Sequence, residues 1–298
     1  MGGLGDAINT WYASNNNLIN DSGLNAILAL SVYVMLACGL LSLASPAYMA
    51  IGAYIAALLS NNTGVPFPAQ MAAGALLAGG VAFVLGLPLL RLRGVYLAIC
   101  TVGFVAIVQI FFNTWTPGGG GNGISIPAAT TTWQIYLILV FLCFLLWRLE
   151  GSALGRSLSA IRLDEEAARS LGIDTIAFKL GAFALSGVLA GLMGVLYARL
   201  HYYIDPNTFG FDTGLAALTY VVVGGSLTTI GSPLGAILIT ALPEWLRGLN
   251  DYRTVVNGLI LLGVILFLPG GLVELPRRLQ SLAREGVRRL GLARKDGG

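Results

Sequence analysis

Charged side chains are scarce in this chain. They make up 10% of its 298 residues, against 56% hydrophobic residues and a mean hydropathy of +0.79. A soluble domain carries roughly 25% charged residues. The shortage therefore excludes a water-covered globule and predicts an all-α polytopic membrane protein, with the lipid bilayer rather than nucleic acid as its surroundings. Lysine occurs only as Lys179 and Lys295, and neither follows a G-x-x-x-x-G, so there is no P-loop to hold nucleotide. Cys38, Cys100 and Cys143 fall inside apolar runs without metal-ligand spacing, and read as packed residues rather than disulfide or metal partners. No Ser-His-Asp or paired-carboxylate arrangement emerges, so no catalytic residue, metal or cofactor is expected. Before the first apolar run there is neither a basic n-region nor a cleavage-like stretch. That first span is expected to direct its own insertion.

What the chain has in quantity is apolar runs. Six approach the roughly 20 residues needed to span a bilayer: Leu24–Leu43, Ala69–Leu90, Gly94–Phe112, Trp133–Leu149, Leu180–Leu200 and Val255–Val273. Three more are short and bounded by Pro or Gly: Ala47–Ser60 after Pro46, Leu215–Val223 before Gly224-Gly225, and Leu234–Leu246 after Pro233. Interrupted segments of this kind either line a pathway, where irregular backbone finds protein or water, or are kinked ordinary helices. About eight transmembrane segments result, some short or re-entrant.

Lys and Arg assign the sides. Residues 1–22 and the connections 61–68 and 113–132 contain neither. Arg91, Arg93, Arg148, the stretch 150–179 and the tail together hold 14 of the 17 basic residues, and Arg199, Arg247 and Arg253 lie opposite. The N-terminus is expected outside and the C-terminus in the cytoplasm. This divides the chain into a periplasmic segment 1–23, a transmembrane domain 24–274 and a basic cytoplasmic tail 275–298. The tail carries Leu279, Leu282, Ala283, Val287 and Leu290 at helical spacing, which suits either an amphipathic helix on the inner leaflet or a solvated end.

Ionisable residues are nearly absent from the spans, whereas proton relays and ion-coupled transporters need them. Gln109 and Glu244 are among the few polar groups at depth, and Glu244, beside Pro243 and Trp245, reads as either a pathway carboxylate or an interfacial one. The lone histidine, His201, sits beside Tyr202 and Tyr203 at an outer span end and suits an interfacial anchor. A chain that moves a solute without an energy source of its own needs a motor elsewhere.

One polar island interrupts this pattern, from Glu150 to Lys179. It holds Glu150, Asp164, Glu165, Glu166 and Asp174, five of the 14 acidic residues, with Arg156, Arg162, Arg169 and Lys179. Two short helices are predicted, Ala153–Arg162 and Asp164–Leu171. Asp164 suits an N-cap, Glu165 and Glu166 the first turn, and Gly172 the C′ position. Ala167 and Leu171, four apart, give a small apolar face. Spacing alone allows an ordinary solvated loop as well as a docking element.

Glu166-Ala167-Ala168-Arg169-Ser170-Leu171-Gly172 resembles the EAA-x-x-x-G loop of ABC importer permeases. The wider string GRSLSAIRLDEEAARSLGI is similar to that of the branched-chain amino acid permease family, in its LivM-type members. Leu41-Ser42-Leu43 with Gly52-Ala53-Tyr54, Leu92–Ile99 with Thr101, Gly119–Gly123, Pro206-x-x-Phe209, and Val223-Gly224-Gly225 with Gly231 and Gly235-Ala236 resemble further stretches of that family. In this order, over residues 24 to 274, they identify the chain as a member.

The resemblance implies an ABC importer permease fold and alternating access driven by two cytoplasmic ATPase subunits, which bind the ATP. It also implies a second, LivH-type permease, a periplasmic substrate-binding protein, and a bacterial inner membrane. The coupling residues it implies are Arg162, Asp164, Glu165, Glu166, Ala167, Ala168 and Gly172. Candidate pathway residues are Ser45, Pro46, Tyr48, Gln109, Gly224, Gly225 and Glu244. The chain departs from the family where GHAAF becomes Ala44-Ser45-Pro46-Ala47-Tyr48, at Ala106, and at Pro233, which puts the cargo in question among branched-chain and related amino acids. The rival reading is a stand-alone channel or secondary transporter for a small solute.

Overall fold

The computed structural model of the chain describes residues 3–92, 94–127, 130–225 and 228–245. Val255–Val273 and the tail 275–298 lie outside the described residues. Helices follow the apolar runs: α1 (Gly3–Ala37), α2 (Ser45–Thr63), α3 (Phe67–Leu89), α4 (Val95–Thr114) and α5 (Thr132–Glu150). The island supplies α6 (Ala153–Leu163) and α7 (Glu165–Ser170), and α8 (Thr175–His201), α9 (Phe211–Gly224) and α10 (Gly231–Trp245) follow. Five of these are long and apolar enough to cross a membrane: α3, α4, α5, α8 and the Asn16–Ala37 part of α1. The protein is an all-α, multi-pass membrane protein.

Two expectations move. The first span does not run to Leu43, because Gly39 takes a left-handed φ of 74° and ends the helix at Ala37. The following backbone finds other partners, as where the Leu43 N–H donates to Thr101 Oγ1 at 3.1 Å. The run expected to be short, Ala47–Ser60, lies in a helix of 19 residues, about 28 Å at 1.5 Å per residue. Pro46 does not break it. It stands in the first turn, where a missing N–H and a fixed φ suit a helix start.

Small residues let α2, α3 and α8 meet at backbone distance. A Cβ on Gly52 of α2 would run into the Gly191 carbonyl of α8, and one on Gly194 into the Met49 carbonyl. On α3, Gly74 faces Val195 and Gly79 faces Val188. Apolar side chains cannot drive helices together in lipid, so close backbone packing of this kind must hold them. Buried within this core, Ser31 of α1 bonds to Ser45 of α2 at 3.1 Å and to Ser186 of α8 at 3.0 Å. The outer faces of α3, α4 and α5 are apolar and open, as at Leu76, Ile107 and Phe141.

At the end away from the island, strand β1 (Ile124–Ser125) pairs antiparallel with β2 (Tyr203–Ile204). His201 Nε2 lies 3.2 Å from an Asp21 carboxylate oxygen there, and Arg199 donates to Gln70 Oε1 at 2.9 Å. From this end α9 descends, and the turn after it reaches Glu150, the last residue of α5, before α10 returns. The two helices touch backbone to backbone. A Cβ on Gly224 would strike the Gly231 carbonyl, and one on Gly235 the Tyr220 carbonyl.

Candidate functional site

The island folds into two helices held by side-chain caps. Ser152 starts α6, accepting from the Gly155 N–H at 3.4 Å and donating to the Leu149 carbonyl at 2.6 Å. Asp164 then breaks the helix and caps the next. Its Oδ1 accepts the Glu166 and Ala167 N–H groups at 2.9 and 3.0 Å. At the far end Gly172 adopts a left-handed φ of 81°. The Ile173 and Gly172 amides return to the Ala168 and Arg169 carbonyls at 3.1 and 2.9 Å, which closes α7 with a Schellman motif. Asp174 caps α8 by accepting from Ile176 and Ala177, both at 3.2 Å.

A helix of six residues has too few internal bonds to persist alone. The contact that holds it comes from Glu165. One oxygen of its carboxylate receives Arg169 Nη2 at 2.7 Å, and the other lies 2.6 Å from Lys179 Nζ on α8. Thr175 completes the cluster. Its hydroxyl accepts from Arg169 Nε at 2.9 Å and lies 3.3 Å from Glu165 Oε1. Partial burial pushes the Glu165 carboxyl upward, but the Lys179 ammonium, Arg169 and the Thr175 hydroxyl outweigh it and hold the carboxyl below its ordinary value. Ala168 packs inward, 2% exposed.

This inward grip defines an outward face. Glu166, Ala167 and Ser170 are exposed, Leu163 and Leu171 are 82% and 80% exposed, and a Cβ on Gly172 would meet nothing within 4 Å. Two large leucines turned to solvent beside an acidic residue are costly for a free surface and suited to a partner. Arg162 lies elsewhere, half-buried against Gly39. It borders a cavity of about 390 Å³ among α1, α5, α6 and α8, whose walls include Val34, Leu146, Leu158 and Leu185 with Glu150 at the edge.

The family described as "Branched-chain amino acid transport system / permease component" matches residues 15–268. This chain belongs to that family. It is 34% identical to the high-affinity branched-chain amino acid transport system permease protein LivM of Escherichia coli K12, over 86% of this chain and 67% of that one. The LivM of Salmonella typhimurium is 33% identical over the same shares. The autoinducer 2 import system permease protein LsrC of Escherichia coli O157:H7 is 30% identical over 75% of this chain and 70% of its own. No solved structure matches. As a permease component the chain is a transport protein and not itself a catalytic enzyme, and among the described residues no cluster of His, Cys, Asp and Glu is fit to hold a metal.

The candidate pathway residues of this permease lie on α2, α4, α9 and α10 and at the turn after α9. Ser45 is 2% exposed and spends its hydroxyl on Ser31. Pro46 lies against Gly214 of α9. Tyr48 is 1% exposed, tilted against Phe104 at 6.0 Å, and its hydroxyl has no hydrogen-bond partner among the described residues. Gln109 is half-buried beside Gly210, at the start of α9. Gly224 and Gly225 form the end of α9, where Gly225 takes a φ of 117°. Glu244 falls in the last turn of α10, its side chain outside the described residues.

Sequence reasoning did not single out the Lys179 anchor, the Thr175 bridge or the contact between Glu150 and Thr229. The spacing of Glu165 and Arg169, four apart on one helix, signals their own ion pair but not the lysine on α8. Nothing in the spacing of these three contacts betrays them.

Proposed function

We propose that this chain is the membrane-spanning subunit of an ATP-driven importer and that α7 is the element its motor grips. Two cytoplasmic ATPase subunits bind and hydrolyse ATP, a second, LivH-type permease completes the pathway, and a periplasmic binding protein delivers cargo. The observation that carries this reading is the division of α7 into two faces. Glu165 and Ala168 fasten it to the bundle, while Glu166, Ala167, Ser170 and Leu171 face away, capped at both ends. A short rigid helix so anchored passes a push to α8 instead of absorbing it.

The cargo is a branched-chain or related amino acid, a reading supported by the family and by the LivM relatives. The protein lies in the bacterial inner membrane, with the island and the C-terminus in the cytoplasm and the N-terminus outside. The distribution of Lys and Arg supports that orientation. Closure of the ATPases on ATP would move α7, and the spans would rearrange from outward to inward access.

Purification from native membranes tests this. The intact complex is expected to contain ATPase subunits and to hydrolyse ATP, and Glu166→Arg or Gly172→Trp is expected to release them. Solute flux through the purified chain alone in liposomes, at the rate seen in cells, would instead make it a stand-alone transporter and end this reading.

A further inference from the structure

Among the described residues, Thr229 fastens the turn between α9 and α10. The Thr229 hydroxyl donates to Glu150 Oε2 at 2.5 Å, and the Thr229 N–H approaches the same oxygen at 3.4 Å. The Tyr33 hydroxyl of α1 lies 3.3 Å from Thr229 Oγ1. Thr229 is 1% exposed and Tyr33 6%. Glu150 itself is exposed, so its carboxylate also meets water, but the bond is charge-assisted and its donor is held in a closed site.

Glu150 is also where α5 ends and the island begins. The joint behind it is tight, since a Cβ on Gly155 in the first turn of α6 would run into the Leu149 and Glu150 carbonyls. A tilt of α6 therefore reaches Glu150 with little slack. Beyond Thr229 the hairpin is equally stiff, with Gly224 against Gly231 and Gly235 against Tyr220. A cavity of about 390 Å³, lined by α1, α5, α6 and α8, lies alongside and leaves room for movement.

We propose that Glu150 is a positioning residue that carries displacement of α6–α7 to the Thr229 turn, so that the α9–α10 hairpin shifts with the docking helix. This rests on the ATP-driven reading above and adds a route for it. Through Glu165 and Lys179 the push enters α8; through Glu150 and Thr229 it enters the α9–α10 hairpin at its turn, the end remote from the α8–α9 connection.

The test uses the whole complex in lipid nanodiscs, with Cys100 and Cys143 replaced and spin labels placed in pairs. One pair, Val222→Cys on α9 with Leu76→Cys on α3, reports the hairpin. A second, Arg156→Cys with Leu76→Cys, reports α6. Distances are compared without nucleotide and with ATP and vanadate, so no cargo is needed. In the wild type both pairs are expected to shift. In Glu150→Ala and Thr229→Val the α6 pair is expected to shift as before while the hairpin shift falls to half or less; Thr229→Ser, which keeps the hydroxyl, is expected to restore it. An unchanged hairpin shift in Glu150→Ala, with α6 still moving, overturns the proposal. So does a hairpin that stays still in the wild type. A complex without ATPase subunits overturns the underlying reading, and this one with it, so the two failures are told apart.

Discussion

Glu165 and Lys179 join α7 to α8 through a contact of 2.6 Å, with the lysine side chain 11% exposed and the glutamate 24%. The pair sits at the border between the island and the bundle, and Thr175 and Arg169 close around the same carboxylate. Because the helix has six residues, this cluster rather than its own backbone decides where α7 lies.

Removing Lys179 should loosen α7 without unfolding the bundle. A hydrogen bond to a charged group contributes about 1.5–3 kcal/mol. Lys179→Met is therefore expected to speed amide exchange in residues 165–171 by roughly ten- to a hundredfold and to leave exchange in α3 unchanged. The double variant with Glu165→Gln should lose less than the sum of the two single losses, since each single change deprives the remaining charge of its partner and the double change does not.

The same contact makes α7 acid-sensitive in one direction. The folded Glu165 carboxyl titrates below its unfolded value, so its contribution is fully present above the ordinary glutamate range of about 4.3 and is lost as pH falls through the lower folded value. A spin label at Ser170 is expected to report an unchanged, ordered α7 from neutral pH down to that range and a mobile one below it. Lys179→Met should move the onset upward in pH; an onset that does not move would separate Glu165 from the ordering of α7.

Much of this arrangement is written locally. The apolar runs specify α3, α4, α5 and α8, and Asp164 and Gly172 mark the ends of α7 because capping depends on residues within a few positions. What spacing does not encode is contact between distant segments. Glu150 and Thr229, or Glu165 and Lys179, are ordinary polar residues until the bundle brings them together. Local chemistry also misleads where two signals compete. Leu40 to Leu43 read as helix by hydropathy, but Gly39 and the Thr101 hydroxyl offer that backbone another path. Pro46 reads as a breaker until the helix start is known.

The Asp164 cap offers a second handle on α7. Replacing an N-cap Asp by Ala costs about 0.5–2 kcal/mol, a large share of what a single turn can supply. Asp164→Ala is expected to lower ATPase retention on purification several-fold. Asp164→Asn or Ser should keep it near wild type, because either side chain still accepts from the Glu166 and Ala167 amides.

Glycines in the α2–α3–α8 contact should differ sharply from glycines elsewhere on the helices. Gly52→Ala and Gly191→Ala place a methyl against backbone and are expected to lower the melting temperature in detergent by several degrees, or to prevent accumulation. Gly103→Ala and Gly181→Ala meet nothing within 4 Å. By helix propensity they should be neutral or stabilising, by up to about 1 kcal/mol. Thermal melts of the four variants in one detergent would check both halves.

Ser45 provides a test of what its hydroxyl is for. If it met cargo, its removal would change which solutes pass or how tightly they are held. In the structure the hydroxyl is instead bonded to Ser31, which is bonded in turn to Ser186, so that one buried chain of hydroxyls crosses α2, α1 and α8. Hydrogen bonds between helices in a membrane average about 0.6 kcal/mol. Ser45→Ala is therefore expected to cost stability of that order and Ser31→Val somewhat more, since the latter removes both bonds and leaves two hydroxyls unpaired in a closed site. Neither should alter the order in which the proposed cargoes, branched-chain and related amino acids, compete for uptake. A changed order in Ser45→Ala, with stability intact, would put this serine in the path of the cargo after all.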